Sequence, residues 1–319
     1  MLMEENALLK TRVRELEEEN RSLREKPQGI FETMQSDEKK LCFYTGLPDL
    51  AAFVLVLRLA MLAGFTKFKT LSESDTLLII LMKLRLGATN IDLAYRFGVN
   101  ARYVSTILST RLTFVASVAK KLICWPSQGA IRANMPTCFR ACGRDIRHTR
   151  VILDCFDIFT ERPKGLAARA QLWSNYKSHS TVKVLIGISP AGAVTYVSEV
   201  WGGRASDKQI TLDGKLLDLL DPYDVVMADR GFLVADELAA MSVRVVTPHF
   251  TKGKQQMSRR EVQESRRLSR VRIHVERVIG RIRRNYRVLG GVIPIGLIPQ
   301  VNNIVTICCG LINLHRSVV

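Results

Sequence analysis

Three carboxylates stand where their neighbours make a carboxylate unexpected. Asp154 lies inside Val151 to Phe159 (VILDCFDIF), a β-branched apolar run in which an ionised group needs a partner or a cation. Asp229 closes the run Asp224 to Ala228 and precedes an Arg-Gly turn, a common place for functional side chains in α/β sheets. Glu276 falls on a long Arg-rich helix expected from Ser258 to Val288. At about 100° per residue, Leu268, Val271, Val275, Val278 and Ile282 form an apolar stripe on that helix. Arg266, Arg270, Arg277, Arg281 and Arg284 form a separate basic stripe, and Glu276 sits on the border between the two. Carboxylates without clustered His or Cys suit hard ions, Mg²⁺ or Mn²⁺. Two such ions, roughly 3.5–4 Å apart, can clamp the attacking and leaving oxygens of a phosphoryl displacement. Taken singly, each acid also has an ordinary structural reading: Asp154 as a strand or turn cap, Glu276 as one helix-surface ion pair among many.

The charge balance supports a polyanionic partner. The 319 residues carry 47 Lys and Arg against 30 Asp and Glu, a formal net charge of +17. With 47% hydrophobic and 24% charged residues, wholesale disorder is excluded. Nucleic acid is the first candidate and an anionic membrane surface the second. The apolar run Leu50 to Phe65 is interrupted by Arg58 and shorter than the ~20 residues of a membrane span. Met1 to Lys26 lacks the apolar core of a signal peptide. No membrane partner is therefore expected. The seven cysteines are odd in number and two are adjacent, unlike a secreted disulfide framework, so a reducing cytosol or nucleus is expected, the nucleus if the partner is DNA. Cys138-x₃-Cys142, with His148 and Cys124 nearby, has loose spacing for zinc and reads as buried or incidental cysteines. Between Arg259 and Arg287, eleven arginines face three glutamates, which places the basic charge beside Glu276.

Several elements must position these groups. Leu2, Leu9, Leu16 and Leu23 recur every seven residues, with Asn6, Val13 and Asn20 at the alternate seam positions. That pattern predicts a short parallel coiled coil over 1–27 and hence a homodimer or higher oligomer, a solvated single helix being the alternative. Residues 28–40 read as a polar linker. Residues 41–126 read as helix after helix, with helices over Thr76 to Leu86, Asn90 to Phe97 and Ala101 to Leu112 arranged as a helix-turn-helix. Arg102, Tyr103, Ser105 and Thr106 then lie near bases or phosphates; an ordinary helical hairpin is the alternative. From 149 to 316 strands and helices alternate as a mixed α/β layout.

Ordered motifs along the chain resemble those of DDE-superfamily endonucleases of the Harbinger transposase type. They are V-I-L-D-C ending at Cys155, E-R-P (Glu161 to Pro163), W-S-N-Y-K (Trp173 to Lys177) and G-I-S-P-A-G-A-V (Gly187 to Val194). S-D-K (Ser206 to Lys208), M-A-D-R-G-F (Met227 to Phe232) and I-H-V-E-R (Ile273 to Arg277) follow. The resemblance implies a ribonuclease-H-like mixed-sheet catalytic domain after an all-α helix-turn-helix domain. It also implies an Asp154/Asp229/Glu276 triad holding two Mg²⁺ or Mn²⁺ ions. Such enzymes cut double-stranded DNA with water, then join it through the freed 3′-hydroxyl. Lys177, Lys183 and the basic stripe are expected to meet DNA. The chain departs from the family in having Phe156-Asp157 where a Thr-Glu pair is usual, and in having no cysteine before Cys42 for a zinc finger. The latter suggests an accessory DNA-binding protein. A transposase-derived, catalytically silent DNA-binding or scaffolding protein is the alternative function.

Overall fold

Side-chain caps open most helices of the N-terminal half. The computed structural model describes residues 9–18, 29–143, 146–229, 231–248 and 258–319. Helix α1 covers 9–18, followed by α2 (Ile30–Met34), α3 (Glu38–Thr45), α4 (Leu50–Leu62), α5 (Glu73–Leu86), α6 (Asn90–Phe97) and α7 (Ala101–Lys121). The side chains of Asp37, Asp49, Ser72, Thr89 and Asn100 each accept a backbone N–H three residues on, satisfying donors that a helix start leaves open. Gly98 then turns the chain from α6 into α7 at a φ of 62°, where a side chain is disfavoured. Helix α5 is buried nearly all round, from Leu77 to Leu84, so its neighbours wrap it.

The polar stretch 28–40, expected as a linker, is instead helical over much of its length. Phe31 stacks on Phe53 with ring centroids 4.4 Å apart, and its backbone N–H donates to the Asp75 carboxylate at 2.9 Å. Two apolar residues, Phe31 and Met34, are enough to dock α2 on the core.

Beyond α8 (Gln128–Ala133) and α9 (Thr137–Arg140), strand β1 runs from Thr149 to Phe159. Then come α10 (Leu166–Leu172), β2 (Trp173–Ser174), β3 (His179–Ile188), β4 (Val194–Val197), β5 (Trp201–Gly202) and α11 (Asp207–Asp213). Strand β6 (Val225–Met227), α12 (Ala235–Ala240), β7 (Arg244–Val246), α13 (Arg259–Asn285) and α14 (Val301–Leu311) complete the chain. The sheet order is β2-β3-β1-β6-β7, with β4 and β5 also pairing with β3. Strand β1 is antiparallel to β3 and parallel to β6.

Register decides which face each side chain joins. Asp154 opposes Ile186, and Cys155 opposes Leu185. Ile152, Phe156, Val184 and Ile186 belong to the core that α13 and the helical half share, whereas Val151, Leu153 and Leu185 pack with Ile210 and Leu238 of α11 and α12. Period-2 alternation therefore puts Asp154 on the α13 side of the sheet and Asp157 on the other. Arg283 of α13 stacks 5.5 Å over the Phe156 ring and donates to the Asp157 carbonyl at 2.7 Å.

Helix α14 joins the two halves. Ile295–Leu314 is long and apolar enough to cross a membrane by length and composition, yet half of it is buried within the protein. Gly310 meets α7 so closely that a Cβ there would lie 2.3 Å from the Ala119 carbonyl oxygen. Just beyond, the Asn313 amide donates to the carbonyls of Leu122 and Val194 and accepts the Val194 N–H.

Candidate active site

The three carboxylates are carried by β1, the segment after β6, and α13, close enough that Glu276 and Asp229 act electrostatically on Asp154. Strand β1 carries Asp154 with its side chain toward α13, which packs against that strand. Asp229 follows β6, two residues past Met227, and its carbonyl accepts the Phe232 N–H at 3.1 Å. Glu276 projects from α13 opposite the buried Val271, Val275 and Val278, and is half-exposed like Asp229.

A guanidinium that the sequence reasoning did not single out organises the cluster. Arg272 Nη2 donates to Glu276 Oε1 at 2.7 Å and lies 4.0 Å from Asp229 Oδ2. Burial pushes the Asp154 carboxyl up from 3.8 to about 6; Arg272 and the Cys155 N–H oppose that rise, and the negative charges of Glu276 and Asp229 add to it. All four groups thus share one electrostatic field. The i, i+4 spacing of Arg272 and Glu276 was the available signal.

The donor set, three carboxylates, is of the type that hard divalent cations take, and Arg272 now lies against two of them. Among the described residues, no three His, Cys, Asp or Glu side chains lie close enough to hold a metal ion in this arrangement. The acids are arranged around Arg272.

The remaining site residues divide by exposure. Arg102, Ser105 and Thr106 are exposed on the first turns of α7. Tyr103 turns inward: its hydroxyl bonds to the Phe68 carbonyl and accepts the Thr70 N–H at 3.2 Å, and its ring meets Phe68 edge-on. It anchors α7 to the loop before α5, a role that exposure-blind spacing missed. Arg266, Arg270, Arg277 and Arg284 are exposed on α13, whereas Arg281 is partly buried and donates to the Arg316 carbonyl. Lys177 is exposed, 4.5 Å over the Tyr176 ring. Lys183 is committed internally, 3.1 Å from the Asp207 carboxylate and donating to the Ala205 carbonyl at 3.0 Å.

His274 faces away from Glu276. It is buried against Phe139, with Nε2 3.7 Å from Cys138 Sγ, and burial, followed by the Arg277 charge, lowers its pKa. Of the heptad residues, Leu9, Val13 and Leu16 are exposed along α1, and Leu2, Asn6, Asn20 and Leu23 lie outside the described residues.

Residues 153–313 match the family described as DDE superfamily endonuclease, and residues 69–120 match the helix-turn-helix of DDE superfamily endonuclease. No curated protein matches the chain. The second match covers α5, α6 and α7; the first begins one residue before Asp154, takes in all three carboxylates and spans just over half of the sequence. The chain belongs to the DDE superfamily of endonucleases.

Proposed function

We propose that this endonuclease is a DNA transposase of the Harbinger type, cutting and joining transposon DNA at Asp154, Asp229 and Glu276. The observation that carries the reading is the convergence of these acids on one cation, Arg272, from three separate elements. The sheet supports it: β1 pairs antiparallel with β3, β3 pairs antiparallel with β4, and β6 and then β7 add in parallel on the other side of β1, as in a ribonuclease-H-like fold. The three carboxylates would hold Mg²⁺ or Mn²⁺, two ions per site. Bound there, such ions activate water or a 3′-hydroxyl and stabilise the charge that develops on the phosphate.

The chain's own residues position the DNA. Arg266, Arg270, Arg277 and Arg284 present an exposed row of guanidiniums for backbone phosphates beside the acids. The first turns of α7 offer Arg102, Ser105 and Thr106 to a groove. Asp154, pushed up by burial, is the acid that most needs a cation to remain ionised. We place the protein in the nucleus, where its substrate lies, and assign α1 and its flanks to self-association.

Arg272 also favours a second reading. It contacts both Glu276 and Asp229, which gives these acids a structural partner that a catalytically silent DNA-binding descendant would retain. One experiment separates the two: strand cleavage of cognate transposon ends with Mg²⁺ or Mn²⁺, by wild type and by Asp154→Asn, Asp229→Asn and Glu276→Gln. The transposase reading requires metal-dependent cleavage that each substitution abolishes while DNA binding persists. Binding without cleavage by the wild type selects the silent reading.

A further inference from the structure

The W-S-N-Y-K segment takes no part in the carboxylate site, yet it forms the wall of a cleft of about 470 Å³ lined by Arg162, Arg169, Trp173, Asn175, Ser180 and Arg204. Three arginines and a tryptophan line this space, and no carboxylate does. Trp173 remains 45% exposed, and Tyr176 beside it is 87% exposed. Arg169 is oriented by donating from Nε to the Pro163 carbonyl at 2.6 Å. Among the described residues, none of the three arginines is in an ion pair. Two glycines hold Arg204 at the rim. A Cβ on Gly202 would lie 2.4 Å from the Gln171 carbonyl oxygen, and one on Gly203 would lie 2.2 Å from Thr181 Oγ1. The backbone approach that sets this wall therefore admits no side chain at either position.

The cleft and the acids lie along one strand, β3. Trp173 pairs with Ser180, and Ser180 lies an even number of residues along β3 from Ile186, the partner of Asp154. Six residues of strand span about 20 Å, which is about six base pairs of duplex at ~3.4 Å each. The face between them is covered by α13 and the helical half, so DNA held at the acids would reach the cleft around the edge of the sheet.

We propose that this cleft binds one unpaired nucleotide of the DNA held at the carboxylate site, with its base on Trp173 and its phosphate among Arg162, Arg169 and Arg204. The proposal rests on the DNA-binding reading above and adds a site to it. A duplex has no free base face to offer Trp173, whereas an unpaired base does. Stacking on an aromatic side chain tolerates any base, and guanidiniums supply phosphate contacts.

The test uses the full chain, without divalent metal, and fluorescence anisotropy with two labelled 20-base-pair duplexes, one blunt and one ending in three unpaired thymidines. Wild type is expected to bind the tailed DNA more tightly by roughly five- to a hundredfold, the range of one base–aromatic stack. Trp173→Ala is expected to bring the tailed DNA down to the blunt level, leave blunt binding unchanged, and be largely rescued by Trp173→Phe. Millimolar dTMP is expected to remove the tail preference without displacing blunt DNA. Equal wild-type affinity for both DNAs, or a tail preference that survives Trp173→Ala, overturns this proposal alone. Tight dTMP binding without a tail preference identifies a free-nucleotide pocket and also overturns it. Absence of any duplex binding overturns the functional reading and this proposal together.

Discussion

Arg272 and Glu276 sit one turn apart on α13, joined by a 2.7 Å hydrogen bond from Nη2 to Oε1, and the same nitrogen faces Asp229 at 4.0 Å. The guanidinium therefore occupies the field that would attract a divalent ion. Two unit charges ~4–5 Å apart interact by about 3–4 kcal/mol at an effective dielectric near 20, less where solvent screens them. Arg272→Gln is expected to tighten Mn²⁺ binding at least about tenfold, as measured by isothermal titration calorimetry. Unchanged or weaker binding would show that Arg272 supports the cation rather than competing with it.

Burial of Asp154 sets a pH dependence whose sign is opposite to that of an ordinary paired carboxylate. Its folded-state pKa of about 6 stands above the reference of 3.8, so the folded state holds this proton more tightly than the unfolded state does. Stability from this group is full below about pH 4, falls as pH rises to about 6, and stays low above that. Asp154→Asn removes the loss. Urea unfolding is expected to show the variant more stable than wild type by about 1–3 kcal/mol at pH 7.5, with the difference vanishing near pH 4. Mn²⁺ affinity of the wild type is expected to rise through the same interval.

Gly310 sits where α14 and α7 touch, with no room for a methyl group against Ala119. Gly310→Ala forces the two helices apart and is expected to destabilise the fold by about 1–3 kcal/mol, the usual range for overpacking a core. Thermal denaturation should show a lower, still cooperative transition. A variant as stable as wild type would mean that the interface relaxes freely.

Leu9, Val13 and Leu16 leave an apolar stripe uncovered on α1. An isolated helix of this length is marginal in water, so the stripe calls for a partner. Removing residues 1–27 is expected to lower the mass measured by light scattering, and an unchanged mass would remove the heptads as the cause of assembly.

Local patterns made much of this legible. The apolar run around Asp154 reads as β1, the Arg-rich periodicity as α13, and the caps and glycines around residues 72–101 mark the helix-turn-helix, with its first helix read one turn short and its last nine residues short. Partnerships across elements were not legible. Lys183 resembles any other basic residue until β3 brings it beside Asp207, and Tyr103 looks like a groove contact until its hydroxyl meets the Phe68 carbonyl. Residues 28–40 misled because their composition is polar, and only Phe31 and Met34 betray a docked face. Arg272 was lost among eleven arginines; its distinction is a neighbour four residues on, not its type.

The Asn313 amide, spanning the end of α7 and the start of β4, bears on how the enzyme would meet its substrate. With the reading head and the cutting centre stapled to one scaffold, neither can swing toward the other. On the proposed reading, the bending needed to reach both falls to the DNA. Sites rich in easily kinked pyrimidine–purine steps are then favoured at positions that no side chain touches.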